Sequence, residues 1–316
     1  MALSPSMMRA AVQIIGDRPD DRTILRTWRG AIGSGFLVGV PSAEHPGLRY
    51  CYVVTAHHVL DDQLHIEVRV PNPRTNGEFH PPVTVSDWRQ PILKLDLALA
   101  PFPALGMNVS GLAIEDNVMP PNLMPTLGGT VFYIGLFDPL NRSMARSGTI
   151  GALDQEGLEH DGDYEYMAHL VDCRSYEGFS GSPCFSTAFF PILEPTEPPV
   201  PLDGPEGRYG SVTNVSLLCG IFTQHVDTKG HRDAVTRYGV GVMLPSDYIW
   251  EVFMSDEMKK EREDWDRSQT AGKPRGPGLR KASVKGTDEY ERFEELARHV
   301  ANTPKPKDPV DEKGAG

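Results

Sequence analysis

The chain has 316 residues and carries 31 Lys and Arg against 43 Asp and Glu, a net charge of −12. That balance argues against nucleic acid or an anionic membrane as the main partner, and the length suits about two domains. A hydrophobic content of 39% is ordinary to slightly low, which implies a folded body with a polar segment, and no stretch approaches the ~18 apolar residues of a membrane span. Residues 1–17 hold one Arg and a short apolar patch, without a sustained apolar region or a small-residue cleavage site. The expected location is therefore the cytoplasm. Cys51, Cys173, Cys184 and Cys219 contain no C-x-x-C pair, so neither a zinc site nor a disulfide framework is indicated. Cys184 and Cys219 fall on candidate neighbouring strands, but buried thiols fit a reducing compartment better.

In chain order, Ala10 to Ile15 reads as an opening strand and Gly16 to Arg29 as a polar loop. Ala31 to Val40 is a strand with glycines at Gly33, Gly35 and Gly39, where backbones come close. Tyr50 to Thr55 is rich in aromatic and β-branched residues and ends at Ala56-His57-His58-Val59-Leu60. His65 to Val70 alternates with period two, Pro82 to Trp88 is a short strand, and Leu95 to Ala100 sets one acid inside an apolar run. A Pro-, Gly- and Asn-rich linker covers about 101–129. Strands resume at Thr130 to Leu136, Ser147 to Leu153, Tyr164 to Val171 and Pro183 to Phe185. Ser186 to Tyr209 is crowded with Pro and Gly and reads as a surface insertion. Strands return at Val215 to Thr223 and Tyr238 to Leu244, and Ser246, after Pro245, is a candidate N-cap for a closing helix over about 246–264. Many short strands in two sets about a linker predict an all-β chain of two barrels or sandwiches. From Asp266 to the end, 266–316, the chain is charged and broken by Gly and Pro, and it reads as mostly disordered. Within it lie a basic run from Lys273 to Lys285 and one amphipathic stretch over 287–302.

The chemistry centres on Gly178-Phe179-Ser180-Gly181-Ser182-Pro183. Glycines beside a serine allow a sharp turn and close substrate approach, and such a turn can aim backbone N–H groups at one developing negative charge. A serine hydroxyl attacks only when a base takes its proton and a third group holds that base in the right tautomer. His58 follows an apolar strand, and Asp96 sits among leucines, where burial without a partner is costly. Ser180, His58 and Asp96 are thus candidate nucleophile, base and orienter, with Gly178 and Ser180 as the oxyanion donors.

These strings resemble the trypsin/chymotrypsin-fold serine peptidases, closer to bacterial HtrA-like and glutamyl-endopeptidase-like members than to digestive enzymes. Thr55-Ala56-His57-His58-Val59 resembles the T-A-x-H-V motif, Asp96-Leu97-Ala98-Leu99 the D-L-A-L motif, and Gly178 to Pro183 the G-x-S-G-[GS]-P motif. Gly33 to Phe36, Asp172, and Tyr238 to Leu244 with the helix after them are similar to further parts of the pattern. The resemblance spans about residues 9–262. It implies two six-stranded antiparallel Greek-key barrels, 9–105 and 125–245, with the site between them. His58 and Asp96 come from the first barrel, Ser180 and the oxyanion hole from the second. The implied reaction is peptide-bond hydrolysis through an acyl-enzyme, without metal or cofactor, on a polypeptide substrate. Gly220-Ile221-Phe222-Thr223 resembles the strand whose backbone pairs with substrate, which brings in Thr223, Gln224 and His225. Arg174 and Ser175 fall near the base of the specificity pocket, where an inward Arg174 would favour acidic side chains. The bacterial character of the motifs points to a bacterial source.

The chain departs from the digestive pattern. Phe179 replaces the acid that captures a newly cut N-terminus, and an Ile-Val-Gly-Gly start is missing, so activation by N-terminal cleavage is not expected. Phe222 stands where glutamyl endopeptidases use His, so a preference for Glu has no support. A metal site at His57, His58, Asp61 and Asp62 is disfavoured, because adjacent strand residues face opposite ways. An α/β-hydrolase elbow is excluded by its G-x-S-x-G spacing and its order of Ser, Asp, His. Two alternatives to an active endopeptidase stay open. One is a catalytically silent fold used as a peptide-binding or scaffold module. The other is a protease switched on by a regulatory protein at the 186–209 insertion or the 266–316 tail.

Overall fold

A computed structural model describes residues 5–19, 27–61, 63, 65–72, 79–103, 111–121, 123–137, 142–155, 166–173, 178–191, 212–227, 237–270 and 280–281. The chain divides into two units, 1–280 and 281–316. Of the second, only Lys281 is among the described residues, and the basic run 273–285 and the stretch 287–302 lie almost wholly outside them.

A short helix, α1 (Pro5–Ala10), leads into β1 (Ala11–Pro19), β2 (Thr27–Pro41), β3 (Leu48–Thr55), β4 (Ile66–Arg69), β5 (Val83–Thr84) and β6 (Ala98–Pro101). These pair antiparallel in the order β3-β2-β1-β4-β5, with β6 on β3. The fourth strand returns beside the first, which is a Greek key. Beyond β5, the one link to β6 among the described residues is the Arg89–Leu99 bridge. This half is therefore an incompletely closed barrel rather than the full six-stranded barrel expected. Val83–Thr84 is too short to complete a ladder.

The segment read as a linker contributes to the fold. β7 (Leu112–Ala113) pairs parallel with β2, and α2 (Ile114–Asn117) follows it. Ile114, Val118 and Met119 are buried. The second half comprises β8 (Thr130–Phe137), β9 (Arg142–Gln155), β10 (Ala168–Asp172), β11 (Ser182–Pro191), β12 (Val212–Asp227) and β13 (Arg237–Pro245). It closes as a six-stranded barrel in the order β10-β13-β12-β11-β8-β9. Strand β11 does not stop at Phe185. Its ladder with β12 continues from Ser186 opposite Leu217 to Pro191 opposite Val212, so the first residues of the expected insertion are strand. Residues 192–211 lie outside the described residues.

Three apolar clusters hold these pieces together. Alternation along β2 sends Leu37 into the first half's own core, with Ile14, Val53 and Val68, and sends Phe36 and Val38 to the opposite face. That opposite face is also buried. Phe36, Tyr52 and Leu99 meet Phe185, Ile221 and Val242 of the barrel. Both faces of β2 over Phe36–Val40 and of β3 over Tyr52–Thr55 are therefore dry, which explains the near-continuous apolar sequence there. Each fully buried side chain of this size stabilises the fold by about 1.5–3 kcal/mol.

The closing element is a pair of helices, not one. α3 (Ser246–Met254) breaks at Ser255, and α4 (Asp256–Thr270) runs beyond the expected end near 264. Ser246 does not cap α3; its hydroxyl donates to the Met119 carbonyl, as does Trp250 Nε1. Ile249 and Phe253 of α3 join the shared core. α4 lies against the first half. Tyr50 donates to the Arg262 carbonyl at 2.9 Å, the Tyr50 and Trp265 rings stack 5.4 Å apart, and Arg89 pairs with Glu261. Asp266, assigned to the tail by its composition, is buried and accepts from Ser42 Oγ at 3.0 Å. No helix among the described residues is long and apolar enough to cross a membrane.

Candidate active site

His58 sits in a 3-10 turn, His57–Val59, that follows β3. The histidine pair is thus in a turn rather than on the strand assumed in weighing a metal site. His57 faces Asp61, with Nδ1 3.6 Å from Oδ1. Among the described residues no group of three or more His, Cys, Asp or Glu side chains could hold a metal ion. The turn forms because Leu60 N–H returns to the His57 carbonyl and Val59 plugs the first core. His58 is left facing the junction of the halves, its side chain 19% exposed.

Asp96 is fully buried between Leu95 and Leu97, which anchor its segment in the shared core. Its two oxygens have separate duties. Oδ1 accepts the His58 backbone N–H at 3.0 Å, and Oδ2 lies 2.8 Å from His58 Nδ1. The first bond positions the carboxylate on the turn. Against a carboxylate oxygen Nδ1 is the donor, so in the neutral ring the lone pair falls on Nε2. The buried charge is compensated by charge-assisted hydrogen bonds, as burial demands.

Ser180 lies on the turn between β10 and β11, between two left-handed glycines, Gly178 (φ +93°) and Gly181 (φ +84°). A methyl on Gly181 would sit 2.0 Å from the Ser34 carbonyl oxygen and 2.3 Å from Thr55 Oγ1, so the position requires glycine for both its φ and its close approach. The turn is clamped onto the first half at two points. Ser34 N–H donates to the Ser180 carbonyl at 2.8 Å, and Ser34 Oγ donates to the Gly178 carbonyl at 2.6 Å. A methyl on Gly33 would meet both Val59 and the Ser180 carbonyl, which places the serine turn beside the histidine turn. Ser34 is itself fixed by Thr55, whose hydroxyl donates to the Ser34 carbonyl. Ser34 and Thr55 lay inside the sequence motifs, but nothing local to them revealed that Ser34, backed by Thr55, bonds across 144 residues to the serine turn.

Thr223 meets Ser180 directly. Ser180 Oγ donates to the Thr223 carbonyl at 2.9 Å. Thr223 is the extra residue of a bulge in β12, between Phe222 opposite Met243 and Gln224 opposite Val242. A bulge releases a carbonyl from the ladder and re-aims it. The Thr223 side chain is fully buried and bonds to the Val242 carbonyl and the Tyr166 hydroxyl. It therefore presents backbone, not side chain, to the site. Gln224 is half-buried, and the backbone of His225 pairs with Gly241. Arg174 and Ser175 lie outside the described residues. Phe222 is buried against Tyr133 in the barrel core and is no pocket residue.

The cysteines offer no rival nucleophile. All four are free. Cys184 and Cys219 are buried on paired strands, where Cys219 Sγ donates to the Cys184 carbonyl. Burial pushes the Cys51 and Cys219 thiols up to about 12 and raises Cys184 well above its ordinary value, so these remain protonated at neutral pH.

Residues 33–189, which contain His58, Asp96 and Ser180, match the family model described as trypsin-like peptidase domain. The chain carries a trypsin-like peptidase domain. No curated protein matches it. Among solved structures, the MamO protease domain from Magnetospirillum magneticum, in its apo form, is similar at 18% identity with a TM-score of 0.49, over 80% of this chain and 100% of that one. A variant of the HtrA-type protease AlgW, solved with a decapeptide, is similar at 15% identity with a TM-score of 0.50, over 81% of this chain and 66% of that one. At 15% identity the likeness to AlgW concerns the fold alone. Within that fold the site occupies the junction of the two halves, which is where the turns of His58, Asp96 and Ser180 converge.

Proposed function

We propose that the protein is a serine endopeptidase acting on polypeptide substrates. The observation that carries this reading is the fully buried Asp96, bonded through separate oxygens to the backbone and the Nδ1 of His58, with the Ser180 turn packed against the same histidine turn. A buried carboxylate so placed has a purpose if Nε2 must act as a base. In the forward step, Ser180 Oγ turns from the Thr223 carbonyl to His58 Nε2, gives up its proton there and attacks the scissile carbonyl carbon. The imidazolium that forms is stabilised by Asp96, and the backbone N–H groups of Gly178 and Ser180 receive the oxyanion. His58 then passes the proton to the leaving amine. The resulting acyl-enzyme is hydrolysed by water, with His58 again as base. The backbone of β12 beyond the bulge, at Gln224 and His225, is the proposed pairing edge for substrate.

One observation favours a second reading, a domain silent at rest and activated by a partner. The Ser180 hydroxyl donates to the Thr223 carbonyl, a bond that must be given up before the serine can attack. Labelling with a fluorophosphonate separates the two. Folded wild-type protein should label at one site and Ser180→Ala at none. A wild-type protein that stays unlabelled with and without a peptide ligand overturns the endopeptidase reading.

A further inference from the structure

The residue between the oxyanion glycine and Ser180 is not a surface residue. Phe179 is fully buried, its side chain turned from the cleft into the core of the second barrel. Its ring stands edge-on to Tyr133, with centroids 5.5 Å apart and planes at 78°. The Arg146 guanidinium lies over the Phe179 ring, 5.8 Å from its centroid. The Phe222 ring stacks on the same Tyr133 at 5.3 Å and 17°. Strand β8 makes room for this arrangement at one point. A methyl on Gly135 would lie 2.4 Å from the Phe179 ring and 2.3 Å from Ser182 Oγ.

The backbone completes the circuit. Gly181 N–H donates to the Phe222 carbonyl at 2.8 Å, and Ser182 N–H donates to the Phe179 carbonyl at 3.0 Å. Ser180 is therefore one link of a closed path: Phe179, its neighbours Ser180 and Gly181, the Phe222 carbonyl, the Phe222 ring, the Tyr133 ring, and back to Phe179. Phe222 also precedes Thr223, whose carbonyl receives the Ser180 hydroxyl. One ring, Tyr133, thus sets the spacing between the serine turn and the β12 edge. Aromatic pairs in these geometries add about 0.5–1.5 kcal/mol each beyond their burial. A ring in a close-packed core does not slide as a solvated side chain does.

We propose that Phe179 and Tyr133 are positioning residues, a buried aromatic anchor whose ring contacts help hold the Gly178–Gly181 turn in place. The claim deepens the endopeptidase reading and, in its catalytic arm, rests on it. It makes the turn's geometry a property of the barrel core, independent of any newly exposed chain terminus.

Two measurements on Phe179→Leu, Phe179→Ala, Tyr133→Leu and Tyr133→Phe test it, with Leu217→Ala as a control in the same core cluster, five residues back along β12. The first is native-state hydrogen exchange. Phe179→Leu and Tyr133→Leu should lower the protection of the Gly181 and Ser182 amides about tenfold beyond any global change, whereas Leu217→Ala should shift protection only with overall stability. The second is the rate of fluorophosphonate labelling together with kcat and KM on a peptide. Phe179→Ala should cost about 100-fold in kcat with KM little changed, and its pH midpoint should stay that of wild type. Tyr133→Phe keeps the ring and should stay within about threefold of wild type. Wild-type protection of Gly181 and Ser182 in folded Phe179→Leu and Tyr133→Leu overturns the anchor. So does a loss matched by Leu217→Ala. Should wild-type protein take no label while the exchange pattern holds, the endopeptidase reading fails and the anchor stands.

Discussion

Replacing Asp96 by Asn keeps the shape of the side chain and changes one oxygen into an NH2 group. The two oxygens of Asp96 both accept, one from the His58 backbone N–H at 3.0 Å and one from Nδ1 at 2.8 Å. The amide must therefore place a donor against one of them. Facing the backbone N–H, two donors meet in a fully buried site, at a cost of about 1–3 kcal/mol. Facing the ring, the clash is relieved by moving the imidazole proton from Nδ1 to Nε2, which costs far less. The second arrangement wins, and it leaves Nε2 protonated and unable to take the Ser180 proton. The expected loss is about ten-thousand-fold in kcat, or about 5 kcal/mol of transition-state stabilisation. Stability should change little, because the fold keeps its packing. The assay is the fluorophosphonate labelling rate of wild type and Asp96→Asn from acid to alkaline pH, alongside thermal unfolding. A folded Asp96→Asn that labels within about tenfold of wild type would refute the assignment of His58 as a base oriented by Asp96.

Other outcomes follow from the same geometry. Gly181→Ala combines a left-handed φ of +84° with a methyl 2.0 Å from the Ser34 carbonyl, so it should destabilise by roughly 2–5 kcal/mol and lower Tm by roughly 5–20 °C. An unchanged Tm in calorimetry would show that the serine turn is not clamped on β2. His169 is buried and accepts the Asp154 backbone N–H at Nδ1, and burial pulls its pKa below the ordinary imidazole value. The unfolded chain then binds the proton more readily. Stability from this group is complete above the ordinary imidazole range near ~6.5 and falls as pH drops through that range toward the lowered folded value. His169→Gln should flatten that acid slope in urea titrations repeated across pH, and an unaltered slope would exclude His169 as its source.

Much of the site was legible because its parts are local. A histidine in a turn after an apolar strand, an acid among leucines and a serine between glycines are all written over a few residues each. The glycines at 178 and 181 carry their own reason, since only that residue adopts their φ freely. The edges of elements were less legible. β11 runs on to Pro191 because its partner β12 begins at Val212, a pairing that local Pro and Gly content argued against. α4 continues through Asp266 because Ser42, Tyr50 and Arg89 of the first half give its polar and aromatic residues partners. Read alone, that helix is a charged stretch with one Trp.

Which residue types stand ready for nucleophilic chemistry, and in what order, could be read along the chain, because backbone conformation and nucleophile activation need particular side chains at short spacing. What surrounds the serine came from long-range folding. The Thr223 carbonyl comes from a bulge 43 residues away, and the side chain of Phe179 turns inward onto Tyr133 rather than outward into the cleft. Those facts depend on ladder register and core packing between distant segments, which no short string of residues specifies.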